Sequence, residues 1–207
     1  MFSNLQISRT LAKNTARMES SNKTVSQEAM QMEWQEIQEA QRNPAFFKPL
    51  YDRYFEPIYR FVFKRTADEN TAADVCSQVF LKAMQKLHKY EYKGVPFSAW
   101  LYRIASNEVA QHYRDTQKNR VVSVEDHNIS NLIDEVREDG DFEKTRDAML
   151  HAMNELKAGD MALIELRFFE QRPFKEIAEI LDITESNAKV KTYRILEKIK
   201  KLMMKNG

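Results

Sequence analysis

The chain is short of the residues that make turns. Its 207 residues include four glycines and five prolines, and no glycine precedes Gly94. So few turn-formers exclude a many-stranded sheet, which needs them at regular intervals, and leave an all-α chain as the simplest reading. One cysteine, Cys76, excludes an internal disulfide framework and a Cys-rich zinc site, and the four histidines (His88, His112, His127, His151) show no metal-ligand spacing. No apolar run approaches the ~18 residues of a membrane-spanning helix, and mean hydropathy is −0.63. The N-terminus also lacks the apolar core of a signal peptide. The expectation is a cytoplasmic protein with no membrane insertion, held together by packing. There is no glycine-rich phosphate loop, nucleophile elbow or paired-carboxylate pattern, so neither catalysis nor a cofactor is expected.

What is there is charge, unevenly placed. Lys and Arg total 32 against 31 Asp and Glu, a net +1 that argues against a nucleic-acid partner until it is mapped along the chain. From Val121 to Asp147 nine acids face three bases, net −6, and from Glu185 to Lys205 seven bases face two acids, net +5. An acidic middle and a basic end suggest separate tasks.

The hydrophobic pattern predicts two small helical domains. Residues 1–30 are polar and read as a disordered extension, with an entering helix near Met30, Met32, Trp34 and Ile37. From Pro44 to Lys64, Phe46, Phe47, Leu50, Tyr51, Tyr54, Phe55, Ile58 and Val62 recur in steps that place them on one helical face, with Pro49 and Pro57 starting or kinking helices. Ala72, Val75, Cys76, Val79, Phe80, Ala83, Met84 and Leu87 form the cleanest 3.6-residue stripe, behind Asp68 as N-cap. The segment Glu91 to Phe97 reads as a loop, and Ser98 as the cap of a third helix carrying Trp100, Leu101, Ile104, Ala105 and Val109. The first domain thus spans 31–118, an acidic flexible linker 119–141, and the second domain 142–207. In the second, Phe142 to Leu156, Asp160 to Phe169 and Pro173 to Leu181 read as short helices before a longer one from about Glu185 to Met204.

Three polar faces stand out. Pro173 to Lys201 has the spacing of a helix-turn-helix, with Thr184 capping a second helix whose Ala188, Ile195 and Ile199 face inward and Ala178 allowing a close crossing. Ser186, Asn187, Lys189 and Val190 then lie on the exposed first turns, the part such a motif sets against major-groove base edges, with Lys191, Tyr193 and Arg194 near phosphates. A basic surface helix of an ordinary bundle is the alternative. On the Glu69 to Tyr90 helix, Asp74, Gln78, Leu81, Lys82 and Gln85 project away from the apolar stripe, as a small docking patch with a polar rim or as a wet surface. The third helix carries Arg103, Asn107 and Arg114 opposite Leu101 and Ile104, with Tyr102 and Tyr113 nearby. Cations among aromatics suit a nucleic-acid strand, and equally suit core rings with solvated arginines.

The tracts DVCSQVFLKAMQKL (Asp74 to Leu87), WLYRIASN (Trp100 to Asn107) and EIAEILDITESNAKVKTYRI (Glu176 to Ile195), in this order, resemble the extracytoplasmic-function group of sigma-70-type RNA polymerase sigma factors. The resemblance covers about residues 44–118 and 142–202. It implies that Asp74, Gln78, Leu81, Lys82 and Gln85 dock on the clamp coiled coil of core RNA polymerase. It further implies that Tyr92, Lys93, Trp100, Arg103, Asn107 and Arg114 recognise and open the minus-10 element of promoter DNA. Thr184, Ser186, Asn187, Lys189, Val190, Lys191, Tyr193 and Arg194 would read the minus-35 element, beside the polymerase flap. The linker would run through the core enzyme, and an anti-sigma factor is a further partner common in the family. The chain departs from the family at Gln111 and His112, where Asp and Tyr are frequent, at Ala188 in place of Val, and in a longer N-terminal extension. Two other readings stay open on the residues alone: a self-sufficient dimeric helix-turn-helix regulator, and a helical adaptor without nucleic acid.

Overall fold

The computed structural model describes residues 26–116, 132–133 and 142–206. Among them every regular element is helical and no strand occurs. Residues 1–25 of the expected extension, and all of the expected linker 119–141 except Leu132 and Ile133, lie outside the described residues. The chain divides into two compact units.

The first unit begins earlier than composition suggests. Ser26 Oγ accepts the Ala29 N–H at 3.1 Å and caps α1, Gln27–Arg42. Gln27 to Met30, expected to be disordered, are therefore the first turn of a helix, because a side-chain cap and the burial of Ile37 and Ala40 offset the polar composition. Asn43 then accepts the Ala45 N–H at 3.0 Å and opens a 3₁₀ turn, Pro44–Phe47, leading into α2, Lys48–Thr66. Pro49 lies in the first turn of α2, where a missing N–H is harmless. Pro57 lies inside α2, which continues through it; burial of Ile58, Phe61 and Val62 offsets the hydrogen bond Pro57 cannot donate.

The aromatic residues expected on one buried face of this stretch are divided between two. Phe47, Leu50, Ile58 and Val62 are buried, whereas Phe46 and Tyr51 are exposed. Tyr51, Phe55, Tyr59 and Phe63 recur every fourth residue, with ring centroids 5.3, 6.0 and 6.2 Å apart. A spacing of four on a 3.6-residue helix stays together as a ladder, so these rings shield one another along the flank instead of filling the core.

Helix α3, Glu69–Lys86, starts at the expected cap: Asp68 accepts the Thr71 N–H at 2.7 Å. Its stripe is buried as expected, through Ala72, Val75, Cys76, Val79, Phe80 and Ala83, with Leu87 following in a 3₁₀ turn, Leu87–Lys89. Met84 is the exception, at 45% exposure, because Phe80, Ala83 and Leu87 already occupy the inward positions around it. Burial pushes the Cys76 thiol up to about 12, which makes it an inert core residue. Helix α4, Phe97–Thr116, begins one residue before the expected cap, so Ser98 lies buried within its first turn and not ahead of it. Helices α2, α3 and α4 pack on one another, with Phe61 edge-on to Tyr102 at 4.8 Å, and α1 lies against α4 and the two 3₁₀ turns.

The second unit contains α5, Phe142–Asn154, α6, Ala158–Ile164, the start of α7, Phe174–Leu181, and α8, Glu185–Asn206, while residues 178–182 at the end of α7 group with the first unit. Helix α6 widens into a π turn, Glu165–Phe169, where a single helix was expected. Helix α8 packs on α5 and α6 over a core that includes Met149, Met153, Met161, Ile164, Ile195, Ile199 and Met203. Flexible thioethers fill the irregular space left between short helices.

A polar buttress supports the start of α7. Arg167, 7% exposed, lays its guanidinium 4.7 Å from the Phe174 ring centre and donates to the Arg172 carbonyl at 3.1 Å. Arg172 in turn lies 3.2 Å from a carboxylate oxygen of Glu176, which is buried. Burial holds the Glu176 carboxyl above its ordinary range, against the opposing pull of Arg172. The folded chain thus binds this proton more tightly than the unfolded chain. That contribution is full below the ordinary carboxylate range and is lost as pH rises through the titration of Glu176. The Glu176→Gln variant, which cannot ionise, should gain stability relative to the parent as pH rises from about 4 to about 7. Urea midpoints of both proteins across that interval check it; parallel profiles would mean that Arg172 compensates burial in full.

Candidate nucleic-acid interfaces and an exposed docking face

The outer face of α3 is continuous. Asp74, Gln78, Leu81 and Gln85 are all exposed, Leu81 at 49%, and Met84 adds a second apolar group beside Leu81. Met84 also borders a shallow depression with Ala40, Phe47 and Leu87. Lys82 is different. Its Nζ donates to both carboxylate oxygens of Glu108 on α4, at 2.8 and 2.7 Å, so this cation braces two helices. The face is therefore an apolar pair within uncharged and acidic groups, the arrangement of a protein-docking patch with a polar rim.

The segment between α3 and α4 and the outer side of α4 form the second face. Trp100, Arg103, Asn107 and Arg114 fall at helical spacing on one side, opposite buried Leu101, Ala105 and Val109. Asn107 and Arg114 are exposed, and the Arg114 guanidinium donates to Gln111 Oε1 at 2.6 Å. Trp100 is half-buried, its ring 5.1 Å from Tyr90 and 5.3 Å from Phe97. Lys93 is exposed, whereas Tyr92 stacks on Trp34 at 6.1 Å and 26°. Gly94 turns the segment at φ 68°, a conformation that favours glycine.

Sequence reasoning missed what holds this segment. Glu33 on α1, 8% exposed, accepts the Tyr54 hydroxyl and the Arg53 guanidinium (3.4 Å) on one oxygen and the backbone N–H of Phe97 at 3.1 Å on the other. Gln41, two turns along α1, donates from Nε2 to the carbonyls of Leu87 and Tyr90, both at 2.9 Å. Burial pushes the Tyr54 phenol well above its ordinary range, with the Glu33 carboxylate adding to the effect, so the phenol stays a donor. The same two causes raise Tyr90. One signal was available: Glu33 falls on the same face of α1 as buried Ile37 and Ala40, and a carboxylate on an apolar stripe implies a buried partner.

The third face is the start of α8. A three-residue turn, Asp182 to Thr184, joins it to α7, with Asp182 at φ 57°, a conformation Asp tolerates better than most side chains. Thr184 Oγ1 accepts the Asn187 N–H at 3.2 Å, the expected cap, and lies 3.3 Å from the Ser186 hydroxyl. Ser186, Asn187, Val190 and Arg194 are exposed, and Lys191 and Tyr193 half-buried, on a side away from buried Ala188, Thr192 and Ile195. Lys189 pairs with Glu185 at 2.9 Å and lies 5.9 Å above the Phe174 ring. Ala178, expected at a tight crossing, is half-exposed, and the fully buried small residue is Ala188. An amide and a hydroxyl at the tip, with cations a turn behind, can pair with base edges and phosphates respectively.

These faces define a two-unit helical protein built for docking. Among the described residues no cluster of His, Cys, Asp and Glu could hold a metal, and no helix is long and apolar enough to cross a membrane. Residues 50–119 match the family description Sigma-70 region 2, and residues 146–199 match Sigma-70, region 4. The chain is 30% identical over 179 residues to the ECF RNA polymerase sigma factor BldN of Streptomyces coelicolor, covering 86% of this chain and 67% of that one. It is 25% identical over 154 residues to the ECF RNA polymerase sigma factor SigM of Bacillus subtilis, covering 74% and 92%. In fold it is similar to the sigma factor RpoE of Bartonella quintana, solved with the anti-sigma factor NepR, at a TM-score of 0.50 and 19% identity over 76% of this chain and 96% of that one. The chain belongs to the extracytoplasmic-function group of the sigma-70 family, and is a promoter-recognition factor for RNA polymerase in transcription initiation. Proteins of this family are regulators of the polymerase, not catalysts.

The cap on α8 is directly testable. Removing the Thr184 hydroxyl leaves an exposed helix end without its side-chain acceptor, and Thr184→Ala should lower unfolding stability by about 1 kcal/mol, while Thr184→Ser stays near the parent. Urea unfolding followed by circular dichroism measures both, and equal loss in the two variants would assign the effect to the methyl group.

Proposed function

We propose that the chain docks on core RNA polymerase through α3 and contacts promoter DNA at two separated elements. Asp74, Gln78, Leu81 and Gln85 meet the clamp coiled coil, with Lys82 acting through its hold on Glu108. Tyr92, Lys93, Trp100, Arg103, Asn107 and Arg114 recognise and open the minus-10 element, and the first turns of α8 read the minus-35 element beside the flap. One observation carries this reading: on α3, α4 and α8 most of these side chains lie at or near the outer surface while the positions between them are buried. In this scheme the region 2-like body, expected over 31–118, extends back to Ser26 through α1. Residues 119–141 are the linker, and 142–207 the minus-35-reading domain. The chain works in the cytoplasm, where polymerase and promoter are, and an anti-sigma factor belongs among its partners, as one is bound to the RpoE relative.

Energetics support the division. One monomeric helix-turn-helix gains about 1–3 kcal/mol per good base pairing and binds weakly and salt-dependently by itself. Tethering it to a polymerase-bound partner domain makes the second contact intramolecular and raises avidity by roughly 10² to 10⁴. Unpairing bases costs a few kcal/mol per step, and capture of an extruded base offsets it.

Co-elution of the full chain with bacterial core RNA polymerase tests the docking face. Wild type should co-elute, and the double variant Leu81→Asp, Gln78→Ala should not, both positions being exposed. Tight dimeric binding of the free chain to palindromic duplex DNA, without polymerase, would overturn the reading. On α8, Asn187→Ala should alter base preference at the minus-35 element, whereas Lys191→Ala should weaken all promoters alike and reduce the salt slope by about one. Run-off transcription over a salt series reads both, and equal losses at every sequence for both variants would remove this assignment of roles.

A further inference from the structure

We infer that α1 is a strut that sets the shape of the promoter-reading segment, with Glu33 and Gln41 as positioning residues for minus-10 recognition. This rests on the reading of residues 92–114 given above. The segment from Tyr90 to Pro96 has no regular secondary structure of its own. Both of its ends are nevertheless held, and by the same helix. At the leading end the Gln41 amide supplies both of its hydrogens to the carbonyls of Leu87 and Tyr90, which close the 3₁₀ turn. At the trailing end Glu33 accepts the N–H of Phe97, the first residue of α4. The early N–H groups of a helix have no intrahelical partner and carry partial positive charge, so a carboxylate there both satisfies a donor and meets a favourable field. Between the two, Trp34 packs on Tyr90 at 6.0 Å and on Tyr92 at 6.1 Å.

Core packing alone does not call for these side chains. A leucine at either position would supply apolar surface, but would take the Glu33 acceptor from the Phe97 N–H or the Gln41 donor from the Tyr90 carbonyl, while the Leu87 carbonyl would keep only the Tyr90 N–H. The choice of polar groups fixes backbone atoms of the segment, not its bulk. The consequence is preorganisation: Tyr92, Lys93 and Trp100 are presented on a backbone already ordered, so DNA capture does not have to supply that ordering. The chain has two tryptophans, Trp34 and Trp100, and both lie against Tyr90, so intrinsic fluorescence reports on this segment.

The test uses holoenzyme assembled from the full chain and bacterial core RNA polymerase, on a promoter duplex selected from random DNA by run-off transcription. Glu33→Gln removes the charge, and Gln41→Met replaces both donors with a side chain of similar volume. Each should bind core polymerase within about twofold of wild type and keep its discrimination against minus-35 substitutions. Each should lose about tenfold in the rate of minus-10 opening and in discrimination against minus-10 substitutions, the size expected for one charge-assisted or two neutral hydrogen bonds. Iodide quenching of tryptophan should rise in both. If Glu33→Gln does not fold, Gln41→Met carries the same comparison. Unchanged minus-10 discrimination in the folded variants, or equal losses at minus-10, at minus-35 and in polymerase binding, overturns the inference. Asn107→Ala separates the two levels. If it relaxes minus-10 discrimination and the α1 variants do not, only the strut is wrong; if it too changes nothing, the assignment of α4 to the minus-10 element fails.

Discussion

The buried carboxylate of Glu33 is the constraint around which the first unit is arranged. Removing a charge from water costs several kcal/mol unless its lone pairs are met by donors. Here one oxygen takes a tyrosine hydroxyl and an arginine from α2, and the other the first N–H of α4. These donors come from two other helices, so the carboxylate is fully satisfied only when α1, α2 and α4 are in register. The apolar stripes of α2, α3 and α4 bring those helices together without direction. The Glu33 contacts give the assembly a direction, because hydrogen bonds tolerate little misplacement.

The second unit solves a related problem by other means. Its helices are shorter and its core richer in methionine, which packs without strongly specifying geometry. Specificity there comes from Arg167 on Phe174, from Arg172 with Glu176 at the start of α7, and from the Thr184 cap at the start of α8. These polar contacts mark where the two helices of the motif begin. The exposed tip of α8 is thus defined by backbone and cap, with the side chains of Ser186, Asn187 and Val190 displayed at the surface.

In both units one helical repeat serves packing and display together. Helix α3 buries Val75, Val79 and Ala83 and, on the same turns, exposes Asp74, Gln78 and Leu81. The proposed division of labour follows from this economy: weak contacts on separate rigid faces act jointly only when the polymerase holds both units, so promoter selectivity and polymerase dependence have one origin. Lys82 shows its limit, since a side chain on the edge of such a face is also within reach of the neighbouring helix and is drawn into it by Glu108.

The all-helical class, the caps at Asp68 and Thr184, the stripe of α3 and the outer positions of α4 and α8 were all legible in the sequence, because period and capping depend on residues within one or two turns of each other. The same local reasoning placed Met84 inside, set Ser98 as a cap, gathered the aromatics of α2 on one face and began order too late at the N-terminus. The start of α4 was decided by a neighbour distant in the chain, the Glu33 carboxylate that reaches its first N–H; the others turned on which of several local options won, the Ser26 cap at the start of α1 and the fourth-residue ladder of rings on α2 among them. The sequence by itself determined which faces exist and what chemistry they carry. Only the tertiary structure decided that α1 grips both ends of the Tyr90–Pro96 segment, because hydrogen bonds spanning 46 to 64 residues leave no periodic trace along the chain.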